Sequence, residues 1–151
     1  MKSIMAFLIS VLFVWGCNNA SDKSTNHHAD DSHTEHQHNH DVQAIELDHG
    51  NKWVVNDEMK PFVLKGEELV NMYIQEGGSD YMALAQQLKD QNKQLIESCT
   101  MQGKGHDELH KWLHPHLEMV SALENEPDAT KSNELVLKLQ HSYQQYHQYF
   151  N

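Results

Sequence analysis

Residues 79–116 read SDYMALAQQLKDQNKQLIESCTMQGKGHDELHKWLHPH. In this stretch Tyr81, Leu84, Ala85, Leu88, Leu95, Ile96 and Cys99 recur at three- and four-residue intervals. That spacing puts apolar side chains on one face of a helix. Ser79 offers an N-cap, so the spacing predicts a helix over about 79–100. Gly103, Lys104 and Gly105 break it, and a second helical pattern opens at about His106 and runs to Glu124, with Trp112, Leu113, Leu117 and Val120 on its apolar face. Two helices joined by so short a glycine link pack as antiparallel neighbours.

Working outward, residues 61–76 begin with Pro61, which fits a first helical turn, and stop at Gly77 and Gly78. Residues 131–149 carry Leu135, Leu139, Tyr143, Tyr146 and Phe150 along one stripe. Before the helices, residues 44–47 and 53–55 alternate apolar and polar types around Asp48-His49-Gly50-Asn51-Lys52, which reads as a β-hairpin over about 44–55. Residues 18–41 have no apolar period and read as a disordered tether. The expected fold is therefore all-α, an up-down four-helix bundle over residues 42–151, preceded by a short hairpin and a His-rich tether.

The N-terminus has a different character. Lys2 precedes an apolar run from Ile4 to Trp15 that only Ser10 interrupts. The run is shorter than the roughly 20 residues a membrane span needs, but it suits the apolar region of a signal peptide. Val14-Trp15-Gly16-Cys17 follows and resembles the bacterial lipobox, with Trp15 standing where a small residue is usual. The resemblance implies removal of residues 1–16 and lipidation of Cys17 by acyl chains such as palmitate. The chain would then be held to a membrane on the periplasmic or surface face of a cell envelope.

The formal net charge of −11 argues against nucleic acid or anionic lipid as a partner, and all 11 basic residues are Lys. With Cys17 lipidated, Cys99 is the only thiol left, so no disulfide can form within the chain. An unpaired thiol in an oxidising compartment survives best when buried or metal-bound.

Residues 99–116 gather Cys99, Met101, His106, His110, His114 and His116. Thiolate, thioether and imidazole suit copper, and thiolate with imidazole suits zinc. His106 and His110 stand four apart, offset by only about 40° on a helix that advances about 100° per residue. They therefore point one way, and His114 continues the row. In an up-down bundle the end of the last helix returns to this level with His147, and the start of the first brings Met59. Cys99, Met101, His106, His110 and His147, with His114, form the expected metal site, with a copper or zinc ion as cofactor. In the tether, His27, His28, His33, His36, His38 and His40 lie among Asp30, Asp31, Glu35 and Asp41, a composition that binds divalent ions weakly.

Residues 99–115 and the ending Tyr143-Gln144-Gln145-Tyr146-His147-Gln148-Tyr149-Phe150 resemble a group of uncharacterised small bacterial lipoproteins over about residues 45–151. The resemblance implies a recurring helical unit in the envelope. The expected function is that of an anchored metal buffer, chaperone or sensor, without catalysis. A metalloenzyme would use the same ligands, but no Ser-His-Asp order, phosphate loop or carboxylate pair stands out. A haem bundle would use His and Met, but C-x-x-C-H is absent. An interaction module without metal would present its helices to another envelope protein.

Overall fold

A computed structural model describes residues 44–151. The expected signal peptide, Cys17 and the histidines of the expected tether lie outside the described residues. Four helices follow one another: α1 Lys60–Gln75, α2 Tyr81–Glu97, α3 Lys104–Asn125 and α4 Ala129–Tyr149. Each packs on its neighbours in sequence, and α1 closes the bundle against α4. The pairs run antiparallel. Tyr73 near the end of α1 meets Tyr81 at the start of α2, with ring centroids 5.7 Å apart. Lys89 of α2 reaches Glu124 of α3 at 2.8 Å. His147 near the end of α4 meets Glu67 in the middle of α1 at 2.8 Å, and Gln140 earlier in α4 meets Asn71 later in α1 at 2.9 Å.

Helix boundaries follow capping chemistry rather than the apolar period alone. Asp80, not Ser79, caps α2: its carboxylate accepts from the Ala83 amide at 2.9 Å. A carboxylate also complements the positive end of the helix dipole, which a hydroxyl does not. Asp128 does the same for α4, accepting from the Thr130 and Lys131 amides. In the glycine link only Gly103 lies outside α3, with φ +67°. Gly105 is inside the first turn, where an added Cβ would sit 3.0 Å from Cε3 of Trp53. Helix α3 continues through Pro115 without interruption.

The core draws Val63 and Val70 from α1, Leu88 and Leu95 from α2, Leu109 and Trp112 from α3, and Leu139 and Tyr143 from α4. Ile45, Val55 and Phe150 seal one end. Among the described residues there is no strand. The expected hairpin is reduced to its turn. His49 and Gly50 take φ values of +50° and +87°, the left-handed pair of a tight reversal. Asp48 and Asn51 exchange backbone hydrogen bonds of 2.8 and 2.9 Å across it. The second arm instead pairs in parallel with the C-terminus: the Trp53 amide donates to the Tyr149 carbonyl, and the Asn151 amide donates back to Trp53. Four-helix packing thus supplies the partner that an isolated hairpin lacks.

Two buried contacts fix how α3 and α4 mesh. The Trp112 indole donates to the Ser142 carbonyl at 2.8 Å, and His116 Nδ1 meets the Ser142 hydroxyl at 3.0 Å. The His116 ring is fully buried, stacked on Trp112 at 4.9 Å and edge-on to Tyr143 at 4.8 Å. Burial pushes the His116 pKa down to about 4.

Two outcomes follow from this packing. At Gly66 an added Cβ would run into the Tyr143 hydroxyl and lie 2.9 Å from its Cζ. Gly66→Ala is expected to lower stability by about 1–2 kcal/mol despite alanine's better helix propensity. Adding Tyr143→Phe should recover part of the loss, since it removes the hydroxyl but leaves the ring Cζ at 2.9 Å. Denaturant unfolding of the three variants measures both effects, and a stabilised Gly66→Ala single variant would refute the contact.

The second outcome concerns acid. His116 stays neutral in the fold until about pH 4, whereas in the unfolded chain it takes a proton near pH 6.5. The unfolded state therefore gains protons first as pH falls, and stability is lost through the window from about 6.5 to 4. The loss from this group alone should be about 2 kcal/mol between pH 7 and pH 5. Unfolding curves at those two pH values should show a smaller pH effect in His116→Phe by that amount; an identical pH dependence would contradict a neutral buried imidazole.

Candidate metal centre

Helix α3 presents His106, His110 and His114 as a single row. His106 Nε2 lies 3.0 Å from His110 Nε2, and His110 Nδ1 lies 2.8 Å from His114 Nε2. Successive rings are nearly perpendicular, at 82° and 76°. His106 and His110 are half-buried and His114 is exposed. A neutral imidazole has one donor and one acceptor, and His110 uses both nitrogens on its neighbours. Its pKa is held below the ordinary histidine value, first by burial and then by the positive charge His106 and His114 would carry; Asp107 opposes this.

The row borders a cavity of about 240 Å³ between α2 and α3. Cys99, just past the end of α2, lines the same cavity, as does Met59. Cys99 is a free, half-buried thiol. The remaining walls are apolar, including Leu95, Leu109, Leu113 and Leu117. The i, i+4 spacing therefore does bring His106 and His110 into contact, and the glycine link does carry Cys99 to the same cavity.

Two nitrogens bound at 2.0–2.1 Å to one tetrahedral ion stand about 3.3 Å apart. The 3.0 Å between the two Nε2 atoms is within a few tenths of an ångström of that spacing. Among the described residues no three His, Cys, Asp or Glu side chains are gathered as a group able to hold an ion. The donors meet as a pair, with the thiol across an apolar cavity.

The other sequence candidates are placed elsewhere. The Met101 methyl would lie 3.5 Å from a Cβ at Gly105, on the side of that helix turn where Trp53 packs. His147 does come back toward α1, but its Nε2 is engaged with the Glu67 carboxylate at 2.8 Å. Neither lines the cavity. His116 is buried on the opposite side of α3 against α4, and His141 is exposed.

Glu108 is the residue whose part the sequence conceals. It is 2% exposed and accepts from the Glu46 amide and from the Lys111 ammonium, both at 2.8 Å. This carboxylate ties the N-terminal segment to α3 and faces away from the histidine row, so it is no general base there. The Lys111 partner three residues on was visible in the sequence; the Glu46 amide, 62 residues away, was not. Asn56 plays a similar part, donating to the Ser98 carbonyl and accepting from the Thr100 amide, and so positions the turn that carries Cys99. Comparison with protein-family models, with curated proteins and with solved structures finds no match to this chain.

Proposed function

We propose that this chain is an exported, lipid-anchored envelope protein whose helical domain binds one soft or borderline transition-metal ion. Its role is that of a buffer, chaperone or sensor rather than an enzyme. The observation that supports it is the His106–His110 pair, with Nε2 atoms 3.0 Å apart, bordering the cavity that Cys99 also lines. His106 and His110 would supply the first two donors. Cys99 would complete the site if the turn at residues 98–103 moved its thiol to them, and His114 would orient His110 through its other nitrogen. Copper(I) is the first choice and zinc the second, because a thiolate with two imidazoles suits both. Loss of the His106–His110 hydrogen bond on binding is offset by metal–nitrogen bonds.

The tether histidines at 27, 28, 33, 36, 38 and 40 would capture ions loosely and hand them to the domain. Cys17, lipidated, would hold the whole near a membrane; no helix among the described residues is long and apolar enough to cross one. A second reading is favoured by the pairwise meeting of donors: a helical interaction module that takes no metal.

Titration of residues 42–151 with copper(I) and with zinc, under reducing conditions, separates the two readings. One tight equivalent is expected. His110→Ala and Cys99→Ser should each weaken it at least tenfold with helix content unchanged. Binding should also raise stability, by about 2.7 kcal/mol at a hundredfold excess over the dissociation constant. A domain that binds neither metal, or variants that bind like the parent, would leave the interaction module as the reading. For the anchor, Cys17→Ser should abolish lipid labelling and release the protein from the membrane fraction; unchanged mass and fractionation would refute lipidation.

A further inference from the structure

A second cavity, of about 450 Å³, lies between α3 and α4 on a face away from the histidine row. Its volume falls within the range of about 300–1,000 Å³ typical of small-molecule sites. Ile45, Trp112, Pro115, Met119 and Leu137 supply an apolar lining. Leu137 is 50% exposed, a large apolar side chain left open to water at the rim.

The titratable groups at this cavity are all bases. Among the described residues Lys111, Lys138 and His141 line it beside the neutral Ser142 and Gln145, and no carboxylate does, in a chain whose formal net charge is −11. Lys111 is held in place by Glu108 at 2.8 Å and by the Ala44 carbonyl at 3.3 Å, so its charge is largely met from behind. Lys138 and His141 are exposed on one face of α4, three residues apart, and make no ion pair among the described residues. Lysine keeps its stem on apolar surface while its ammonium reaches outward. An apolar trough with an unmatched cation at its mouth complements a molecule with an apolar tail and one anionic end.

We infer that the cavity between α3 and α4 binds a single-chain aliphatic carboxylate, a free fatty acid. The tail lies along Trp112, Met119 and Leu137, and the carboxylate pairs with Lys138, with His141 beside it. Methionine adapts its shape to a flexible tail. The carboxylate–ammonium contact is charge-assisted and so favours the acid over an alcohol of equal length. Affinity should rise roughly fourfold per added methylene until the cavity is filled.

The probes are octanoate, decanoate and dodecanoate below their micelle concentrations, with dodecanol as the neutral control, titrated calorimetrically into residues 17–151 carrying Cys17→Ser. Dodecanoate is expected to bind one to one and at least tenfold tighter than dodecanol. Lys138→Glu should weaken dodecanoate at least tenfold and leave dodecanol unchanged. Leu137→Asn should weaken both. These two positions are exposed, so both variants should keep the parent's helix content, which circular dichroism checks. Absence of dodecanoate binding, or equal binding in parent and Lys138→Glu, would overturn the assignment. So would binding seen only with phosphatidylglycerol vesicles and not with monomeric acid, since that outcome makes the face a membrane contact. Zinc or copper binding at His106 and His110 does not enter into any of these results.

Discussion

The Trp112 indole bonded to the Ser142 carbonyl, with His116 stacked on Trp112 and bonded to the Ser142 hydroxyl, sets the rotation of α3 about its own axis. A helix with four histidines in eleven residues, 106–116, could present any of several faces to the core. Each buried donor left without an acceptor would cost about 1–3 kcal/mol, so turning α3 away from Ser142 is disfavoured. Once Trp112 and His116 point at α4, the positions 106, 110 and 114 are carried round to the α2 side. The same rotation sends Glu108 toward the N-terminal segment. The surface chemistry of the domain thus depends on a buried contact that contains none of the groups thought to act.

That contact is not free of cost. His116 Nε2 and the Tyr146 hydroxyl are buried without a hydrogen-bond partner among the described residues. Ring packing compensates: Trp112 lies 4.9 Å from both His116 and Tyr146. Aromatic pairs of this kind contribute about 0.5–1.5 kcal/mol beyond area burial. Burial also holds the Tyr146 hydroxyl neutral, raising its pKa to about 12, and shifts Tyr143 in the same direction. These aromatic side chains are therefore neutral in the core, and the one buried carboxylate among the described residues, Glu108, is paired with Lys111.

The four helices were legible because their apolar spacing and their glycine and proline punctuation agree. Pro61, Gly77 and Gly103 each mark a boundary within two residues of the structural one, and Gly78 one within three. The row at 106, 110 and 114 was legible for the same reason, since helical spacing alone fixes which side chains stack. Long-range partners were not. His147 was expected to join the metal donors because the bundle returns it to the right level, and level is a matter of helix length. Which face it shows depends on Glu67, 80 residues earlier, and no local pattern carries that information. The hairpin failed similarly: alternation marks residues 53–55 as extended, but it does not say that their partner is the C-terminal strand-like end rather than residues 44–47.

Imidazole nitrogen shifts test most directly whether His106 and His110 share an ion. In 15N-labelled residues 42–151, one equivalent of zinc should move the Nε2 resonances of His106 and His110 together toward metal-bound values. His116 and His147 should stay unchanged, one buried against Ser142 and the other held by Glu67. Shifts confined to His147 or to exposed His141, or no saturable shift at His106 and His110, would contradict the account.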